Sequence, residues 1–183
     1  MRVVIPKERI DYDGSQIASL WAFAAFGVQE DTIVGFRGGC AIGPEHMVDL
    51  EDLKKGEEIK SVDMVHFIVE HFDSTDLRLA YHRQRLLVSI AREVLEAQGA
   101  SVERKGDDLF SEGKKLSVSI ATVSPGSQKI HLGMNVRSEE YMSLSRIGAR
   151  PEEVIQEVCS RYRGELEDIE KAMRKSRPVG VYR

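Results

Sequence analysis

The sequence is short of cysteine and proline, and it contains no long apolar run. Two cysteines and five prolines occur in 183 residues, so Cys40 and Cys159 cannot form a disulfide framework. We therefore expect both thiols to be unpaired and the protein to work in a reducing, cytoplasmic setting. No stretch approaches the roughly 18 apolar residues of a membrane-spanning helix, and the first ten residues lack the apolar core of a signal peptide. These absences argue against a membrane partner.

The chain also lacks a surplus of positive charge. Lys and Arg number 26 against 30 Asp and Glu, which gives a formal net charge of -4 at pH 7. Proteins that bind nucleic acid electrostatically need excess Lys and Arg to displace counterions, so we expect no nucleic-acid partner. With 42% hydrophobic residues, a chain of this length can bury a sizeable core. We therefore predict a single domain over residues 1–183.

The chain contains a mixture of helical and strand patterns, without repeats or linkers. Asp76 is a predicted N-cap, Gly99 a predicted stop, and Pro151 suits the first turn of a final helix. The predicted helices are residues 15–26, 76–98 and 151–175, and predicted strands include residues 32–37, 40–48 and 63–72. The mixture predicts an α+β fold in which helices cover a mixed or antiparallel sheet.

Residues 106–136 are the most informative segment, because they predict a β-hairpin whose strands each have one apolar and one small, polar face. Its turn at residues 124–127 reads Ser-Pro-Gly-Ser, which suits a tight reversal of the chain. We expect the small and polar residues to form the floor of a binding site, with an ordinary half-solvated sheet as the alternative. They are Lys115, Ser117, Ser119 and Ala121 on the first strand and His131, Gly133 and Asn135 on the second.

Three short motifs in this segment resemble the catalytic half of the biotin and lipoate protein ligase superfamily, which includes the octanoyl transferases. The motifs are Asp107-Asp108-Leu109, Gly113-Lys114-Lys115-Leu116-Ser117 and Gly133-Met134-Asn135-Val136. Upstream, Arg37-Gly38-Gly39-Cys40 resembles a reduced form of the glycine-rich loop of the octanoyl transferases. The resemblance covers residues 33–137. The whole chain is similar to an archaeal domain-of-unknown-function family, DUF366-like, built on this ligase fold.

The sequence departs from these families at three places. Val118 follows Ser117 where lipoate ligases usually have glycine, which argues against the usual close approach of an acyl chain. The octanoyl transferases have a nucleophilic cysteine near the second hairpin strand, whereas residues 124–127 contain none. A covalent thioester at that position is therefore not expected. The arginine-rich and glycine-rich loop of the biotin ligases is also missing.

The resemblance implies ATP-dependent activation or transfer of a small acyl group, with ATP and magnesium as cofactors and no structural metal. Lys115 is the candidate catalytic residue, since an ammonium can hold both an acyl oxygen and an α-phosphate; a surface lysine is the alternative. Arg37 and the glycine amides beside it suit a phosphate, and Asp108 suits Lys115 or a magnesium-bound phosphate. The full candidate binding set is Arg37, Gly38, Gly39, Cys40, Asp108, Ser117, His131 and Asn135. The implied partners are a small carboxylic acid or nucleotide, an acyl-acceptor protein and a second copy of the chain.

Two other functions remain open from the sequence. One is a non-catalytic domain that keeps the ligase fold and binds a small molecule or a protein partner. The other is a metal-dependent hydrolase that uses the cluster His66, Glu70, His71 and Asp73. On a strand His66 and Glu70 face away from His71, so we expect no metal site there. Cys40 could act as an acyl acceptor if its pKa were lowered, whereas a small buried thiol is the plainer interpretation.

Overall fold

The computed structural model describes residues 1–56 and 59–176. Within them the chain forms eight strands and four α-helices around a mixed sheet, which confirms the predicted α+β fold. In chain order the elements are β1 (Arg2–Val4), α1 (Trp21–Phe26), β2 (Thr32–Ile42), α2 (Leu50–Lys55), β3 (Ile59–His71), α3 (Leu77–Ala97), β4 (Glu103–Lys105), β5 (Asp108–Ser111), β6 (Lys114–Lys115), β7 (Ser117–Val123), β8 (Gln128–Asn135) and α4 (Pro151–Lys175).

The main sheet has five strands in the order β1-β2-β3-β8-β7. β1 runs parallel to β2, and the other neighbouring pairs are antiparallel. A second sheet of three short antiparallel strands has the order β4-β5-β6. The predicted hairpin therefore contributes to both sheets, since β6 belongs to the small sheet and β7 and β8 belong to the main one.

Helices α3 and α4 cover one face of the main sheet and bury the larger core cluster against it. Asp76 caps α3 by accepting hydrogen bonds from the amides of Arg78 and Leu79, and Pro151 begins α4 as predicted. The core side of the sheet includes Phe67 and Leu132, both fully buried. We call this side the helix face.

The N-terminal segment crosses the opposite face, where Tyr12 and Phe36 belong to a second buried cluster. The Ile10 amide donates to the carbonyl of Arg37 at 3.1 Å, and the Tyr12 amide donates to that of Gly39 at 2.9 Å. A Cβ atom at Gly38 would collide with the Ile10 carbonyl. Glycine is therefore needed here to let one chain segment cross another.

Two sequence predictions of element bounds are wrong. Residues 15–26 form a short 3₁₀ turn and α1 in place of one helix, because Leu20 has a positive φ of 62° and its amide donates to Glu70 at 2.9 Å. Residues 40–48 do not form a separate strand. β2 continues to Ile42 through a register shift between Gly38 and Cys40, and a 3₁₀ turn follows it.

Candidate functional site

A cavity of about 260 Å³ lies where the small sheet meets the main sheet. Its floor contains Tyr12 and His131, and Val118 lines its wall. Lys115 and Asp108 also line the cavity. These two candidate residues come from different sequence motifs, and the fold brings them together there. Further lining residues come from the loop before α2 and from α2 itself, among them His46, Met47, Val48, Asp49 and Asp52.

Lys115 and Asp108 form an ion pair across the β5-β6 ladder, with 2.9 Å between Nζ and Oδ2. The Lys115 side chain remains 41% exposed, and that of Asp108 is 24% exposed. Burial raises the pKa of Asp108, Lys115 acts to lower it, and the neighbouring charge of Asp107 raises it further. The site thus has an accessible ammonium held by a carboxylate that is partly removed from water.

Asp107 also lines the cavity, and its carboxylate contacts α3. Its carboxylate lies 2.6 Å from Arg85 Nη1 and accepts a 3.2 Å hydrogen bond from Gln84 Nε2. Burial acts to raise its pKa, and the hydrogen bond from Arg85 lowers it, leaving the pKa below its usual range. Gln84 Nε2 also donates to Ser119 at 2.8 Å, so α3 fixes both the β5 and β7 ends of the cavity.

The predicted floor is correct only in part for the first hairpin strand, because Lys115 and Ser119 line the cavity whereas Ser117 and Ala121 do not. Ser117 lies opposite Met134 and Ser119 opposite Leu132, which places the small residues of β7 on the helix face. The Ser117 hydroxyl accepts from the Leu109 amide at 2.8 Å and joins the two sheets. Leu116 lies between β6 and β7 and belongs to neither strand, so the alternation of sides that begins at Lys115 does not continue into β7.

His131 lies on the cavity side as predicted, within a buried stack of rings. It stacks on Tyr12 with ring centroids 3.9 Å apart and 16° between the planes. Its Nε2 lies 3.1 Å from Nδ1 of His66. Burial lowers the pKa of His66 to about 4, and burial with the nearby His66 holds the pKa of His131 well below its usual range. Both imidazoles are therefore neutral at pH 7, and a hydrogen bond joins His66 to the lining residue His131.

Asn135 lies beyond this floor at the end of β8 and does not line the cavity. Its Oδ1 accepts from Ser61 Oγ at 3.0 Å, and its backbone amide donates to the Leu116 carbonyl at 3.1 Å. These contacts hold the junction between β6 and β7 in place. The structure therefore gives Asn135 a supporting position for the strand that carries Lys115.

The segment 37–40 is engaged within the fold and does not line the cavity. Arg37 lies on the helix face, where it donates to Asp63 at 2.9 and 2.7 Å and to Glu152 at 2.6 Å. The hydrogen bonds that Arg37 donates to Asp63 raise the Arg37 pKa. The Gly39 amide donates to the Asp11 carboxylate at 2.7 Å. The structure thus brings neither the guanidinium nor this amide to Lys115.

Cys40 is buried in the cluster that includes Tyr12, and Cys159 is buried on the inner side of α4. Burial raises the pKa of each thiol to about 12. A thiol in this state is almost entirely protonated at pH 7 and is a poor nucleophile. Cys40 therefore has the character of a small core residue.

The cluster suggested for a metal-dependent hydrolase is divided between the two faces of β3. Glu70 is buried with Lys129, with 3.1 Å between Oε2 and Nζ. His71 lies on the helix face, where Nδ1 is 3.0 Å from Asp31 and Nε2 is 3.0 Å from the Tyr162 hydroxyl. Over residues 1–56 and 59–176, the group with metal-ligand proximity is Asp31, His71 and Asp73, and Asp73 is already paired with Arg83 at 2.6 Å. The side chains of the suggested motif do not converge on one point.

Sequence patterns missed Tyr12, Gln84 and Arg85. Gln84 is fully buried on the inner side of α3, so an amide within an apolar stripe was the available signal. No sequence pattern indicated Tyr12, since it comes from an irregular segment and reaches the site only through the crossing over Gly38.

Of the described helices, none has the length and apolarity to span a membrane.

Comparison with known proteins gives strong matches over the whole described fold. A family model described as Domain of unknown function (DUF366) matches residues 1–177. An uncharacterized protein of Methanocaldococcus jannaschii is 43% identical over 189 residues, which cover 98% of this chain and 86% of that protein. A solved structure described as a protein of unknown function from Pyrococcus horikoshi is 42% identical with a TM-score of 0.93, covering 97% of this chain and 98% of that chain.

Biotin and lipoate protein ligases share the fold at much lower identity. Biotin protein ligase from Aquifex aeolicus, in complex with biotin and ATP, has a TM-score of 0.61 at 15% identity, covering 92% of this chain and 72% of that chain. A T. acidophilum protein assigned as a lipoate protein ligase, with bound lipoic acid, has a TM-score of 0.59 at 15% identity, covering 91% of this chain and 86% of that chain. These likenesses confirm the ligase-like fold and carry no activity with them.

Proposed function

The chain belongs to the family described as Domain of unknown function (DUF366), and on the fold that it shares with biotin and lipoate protein ligases we propose that it activates a small carboxylic acid with ATP at Lys115. The observation that supports this most is the position of Lys115. Among the described residues that line the cavity it is the single Lys or Arg. Its ammonium is accessible and is oriented by Asp108 at 2.9 Å.

The proposed role of Lys115 is to hold negative charge as it develops. A carboxylate oxygen of the acid attacks the α-phosphorus of ATP, the bond to the β-phosphate oxygen breaks, and pyrophosphate leaves with the electron pair. The acyl adenylate remains. An ammonium fixed between the acyl oxygen and an α-phosphate oxygen stabilises the charge on both, in a site partly removed from water. Asp108 orients the ammonium while the site is empty.

The charges around the cavity favour a nucleotide that arrives with magnesium. Four carboxylates line the cavity, on Asp49, Asp52, Asp107 and Asp108, against Lys115 and the Arg85 that pairs with Asp107. Asp52 has a partner of its own, and the other three carboxylates still outnumber the two positive charges, which opposes a free triphosphate. A bound divalent cation supplies the missing positive charge, and carboxylate oxygens are the ligands that magnesium prefers. Asp108 and Asp49 are the residues that we propose to face it.

An adenylate needs a nucleophile to accept the acyl group, and the described cavity supplies no reactive thiol. Cys40 lies outside it, with a pKa raised to about 12 by burial. We therefore propose that the acceptor comes from a separate acyl-acceptor protein. A nucleophilic amine or thiol of that partner would attack the acyl carbon, and AMP would leave.

A non-catalytic binding domain is the second candidate, because the segment that would have bound phosphate is used within the fold. Arg37 is held by Asp63 and Glu152, and Gly38 is packed under Ile10. A protein that kept the fold and the small-molecule cavity and lost nucleotide binding would have this arrangement. The two candidates differ in whether MgATP binds.

Pyrophosphate exchange into ATP, measured over a panel of short carboxylic acids with magnesium or with EDTA, tests the proposal. Lys115→Ala should lower the exchange rate on the order of 100-fold, since removing a charge-stabilising donor raises the barrier by roughly 3 kcal/mol. Lys114→Ala is the matched control. Lys114 is exposed on the same short strand, and no cavity contact involves it, so exchange should stay within about twofold.

The outcome can contradict the proposal in two ways. Equal loss in the Lys115 and Lys114 variants, when the parent is active, would remove Lys115 from the mechanism. Absence of MgATP binding by the parent, measured by calorimetry at millimolar nucleotide, would favour the non-catalytic binding domain. Thermal unfolding of all three proteins separates a chemical effect from a folding defect.

A further inference from the structure

We infer that the acid bound at Lys115 is a short monocarboxylate, smaller than biotin or lipoic acid, and that Val118 sets the limit on its size. The inference rests on the proposed function and adds the class of substrate. It is carried by the volume of the cavity, by the register of β7 with β8, and by the charges around Lys115.

The volume limits the occupant first. The cavity measures about 260 Å³, and liquid-like packing gives each water-sized group roughly 30 Å³, so about nine non-hydrogen atoms fill it. Lipoic acid carries an eight-carbon chain and two sulfur atoms, and biotin carries two fused rings on a five-carbon chain. Both exceed this volume, although relatives of the same fold are solved with biotin and with lipoic acid. The nucleotide is larger still and must lie outside the cavity.

Val118 is a lining residue of the cavity on the strand next to β8. It lies directly opposite Gly133, two residues from the floor residue His131 on the same face. Gly133 is kept small by Met64, because a Cβ atom there would lie 2.9 Å from the Met64 Cε. The space above Gly133 is filled by the Met64 methyl group and the edge of the His131 ring. Val118, opposite Gly133, is partly buried against the cluster of Tyr12 and lines the cavity.

Charge limits the occupant to one carboxylate. Lys115 can neutralise a single acid head, and the remaining Lys or Arg near the rim, Arg85, is already paired with Asp107 at 2.6 Å. The floor is neutral because burial keeps the pKa of His131 low. Beyond Lys115, the described lining residues offer no second Lys or Arg to a second carboxylate. A dicarboxylate of matched length should therefore bind more weakly.

Val118→Ala tests the size limit by removing two carbon atoms from the wall. Unbranched acids from acetate to decanoate, glutarate as a dicarboxylate, biotin and lipoate are the probes, measured by calorimetry with MgATP and by pyrophosphate exchange. The parent should prefer acids of up to about seven carbons, since two of the roughly nine atoms are carboxylate oxygens. Val118→Ala should raise the affinity for an acid two carbons longer by about 15-fold, since each of the two buried methylenes is worth about fourfold. Val118→Leu should shift the preference to shorter acids.

Val123→Ala is the matched control, with the same substitution on the same strand. Val123 lies opposite Gln128, on the helix face, and does not line the cavity, so it should leave the size preference unchanged. A parent that prefers biotin or lipoate, or an equal shift in the two alanine variants, overturns the inference and leaves the proposed function standing. If no acid of any length binds or supports exchange, the proposed function fails and the inference fails with it.

Discussion

The stacked imidazoles of His66 and His131 should make the protein lose stability as the pH falls below 6.5. The pair lies under the cavity, with 3.1 Å between the facing nitrogens and with Tyr12 stacked on His131. Protonating either ring places a charge in a buried site beside a second imidazole. Lowering the pH therefore destabilises the protein at the floor of the site, where these two rings lie.

The magnitude follows from the His66 pKa. Burial lowers it to about 4, against about 6.5 in the unfolded chain. Between these values the unfolded state binds more protons, so the free energy of unfolding rises with pH through this window and falls as the pH drops. The complete effect is roughly 3 kcal/mol, of which about 2 kcal/mol is lost between pH 6.5 and pH 4.5. His131 adds a loss of the same sign, since its pKa is also lowered by burial.

Other groups contribute little or oppositely in that window. The aspartates that pair with arginine, such as Asp63 and Asp73, have pKa values lowered by hydrogen bonds from their partners, so their contribution is lost only at more acidic pH. Asp108 has a pKa raised by burial. Its folded form binds a proton more readily than its unfolded form, which slightly offsets the loss from the histidines.

Urea unfolding at several pH values between 7.5 and 4.5 measures the effect as a slope of unfolding free energy against pH. His66→Gln and His131→Gln should each flatten the slope, and the double variant should flatten it most, whatever their stability at neutral pH. His82→Gln is the control, because His82 is exposed on α3. A parent slope near zero between pH 6.5 and 4.5, or equal flattening by the His82 variant, would refute the reasoning.

Two further predictions concern glycine and the thiols. Gly38→Ala should lower the free energy of unfolding in urea by more than about 2 kcal/mol, since the new Cβ would collide with the Ile10 carbonyl. Gly126→Ala is the control, because no atom lies within 4 Å of its Cβ, and it should change the free energy of unfolding by less than about 0.5 kcal/mol. Equal effects of the two variants would contradict the crossing of the N-terminal segment over Gly38. Thiol titration without reductant should find two free groups only after unfolding, because Cys40 and Cys159 are unpaired and buried. Rapid labelling of the folded protein would be inconsistent with that burial.

Helices α3 and α4 could be predicted from the sequence because their signals are local. Asp76 caps one helix and Pro151 begins the other, and apolar residues recur at helical spacing between these ends. The α4 bounds agree with the prediction to the residue. Such signals depend on neighbours along the chain, and tertiary packing does not reverse them here.

The face of β7 could not be predicted, because alternation is informative only while one strand lasts. Lys115 belongs to the small sheet and Ser117 to the main sheet, and the residue between them leaves the ladder. The alternation of polar and apolar residues continues in the sequence from Lys115 to Ser117, whereas in the structure the two side chains point to different faces. The same limit applies to Arg37, whose partners Asp63 and Glu152 are 26 and 115 positions away.

The pairing of Lys115 with Asp108 was accessible from the sequence, since both lie within one short hairpin and their strands are adjacent. The remainder of the site was not. Tyr12 arrives from the N-terminal segment, and Gln84 and Arg85 arrive from α3. Local motifs therefore identified the charged centre of the candidate site, and its floor and support required the fold.

The pair Gly38-Gly39 shows why a motif and its chemistry can separate. Two glycines after an arginine suit either a backbone that approaches phosphate or a backbone that another chain segment crosses. The collision of a Gly38 Cβ with Ile10 and the bond from the Gly39 amide to Asp11 favour the second explanation. A nucleotide bound near Lys115 must then have its phosphate charge balanced by other groups. Under the proposed function, magnesium held by the lining carboxylates supplies this counter-charge. ATP binding that persists unchanged in EDTA would contradict this account, whereas binding that is lost in EDTA would support it.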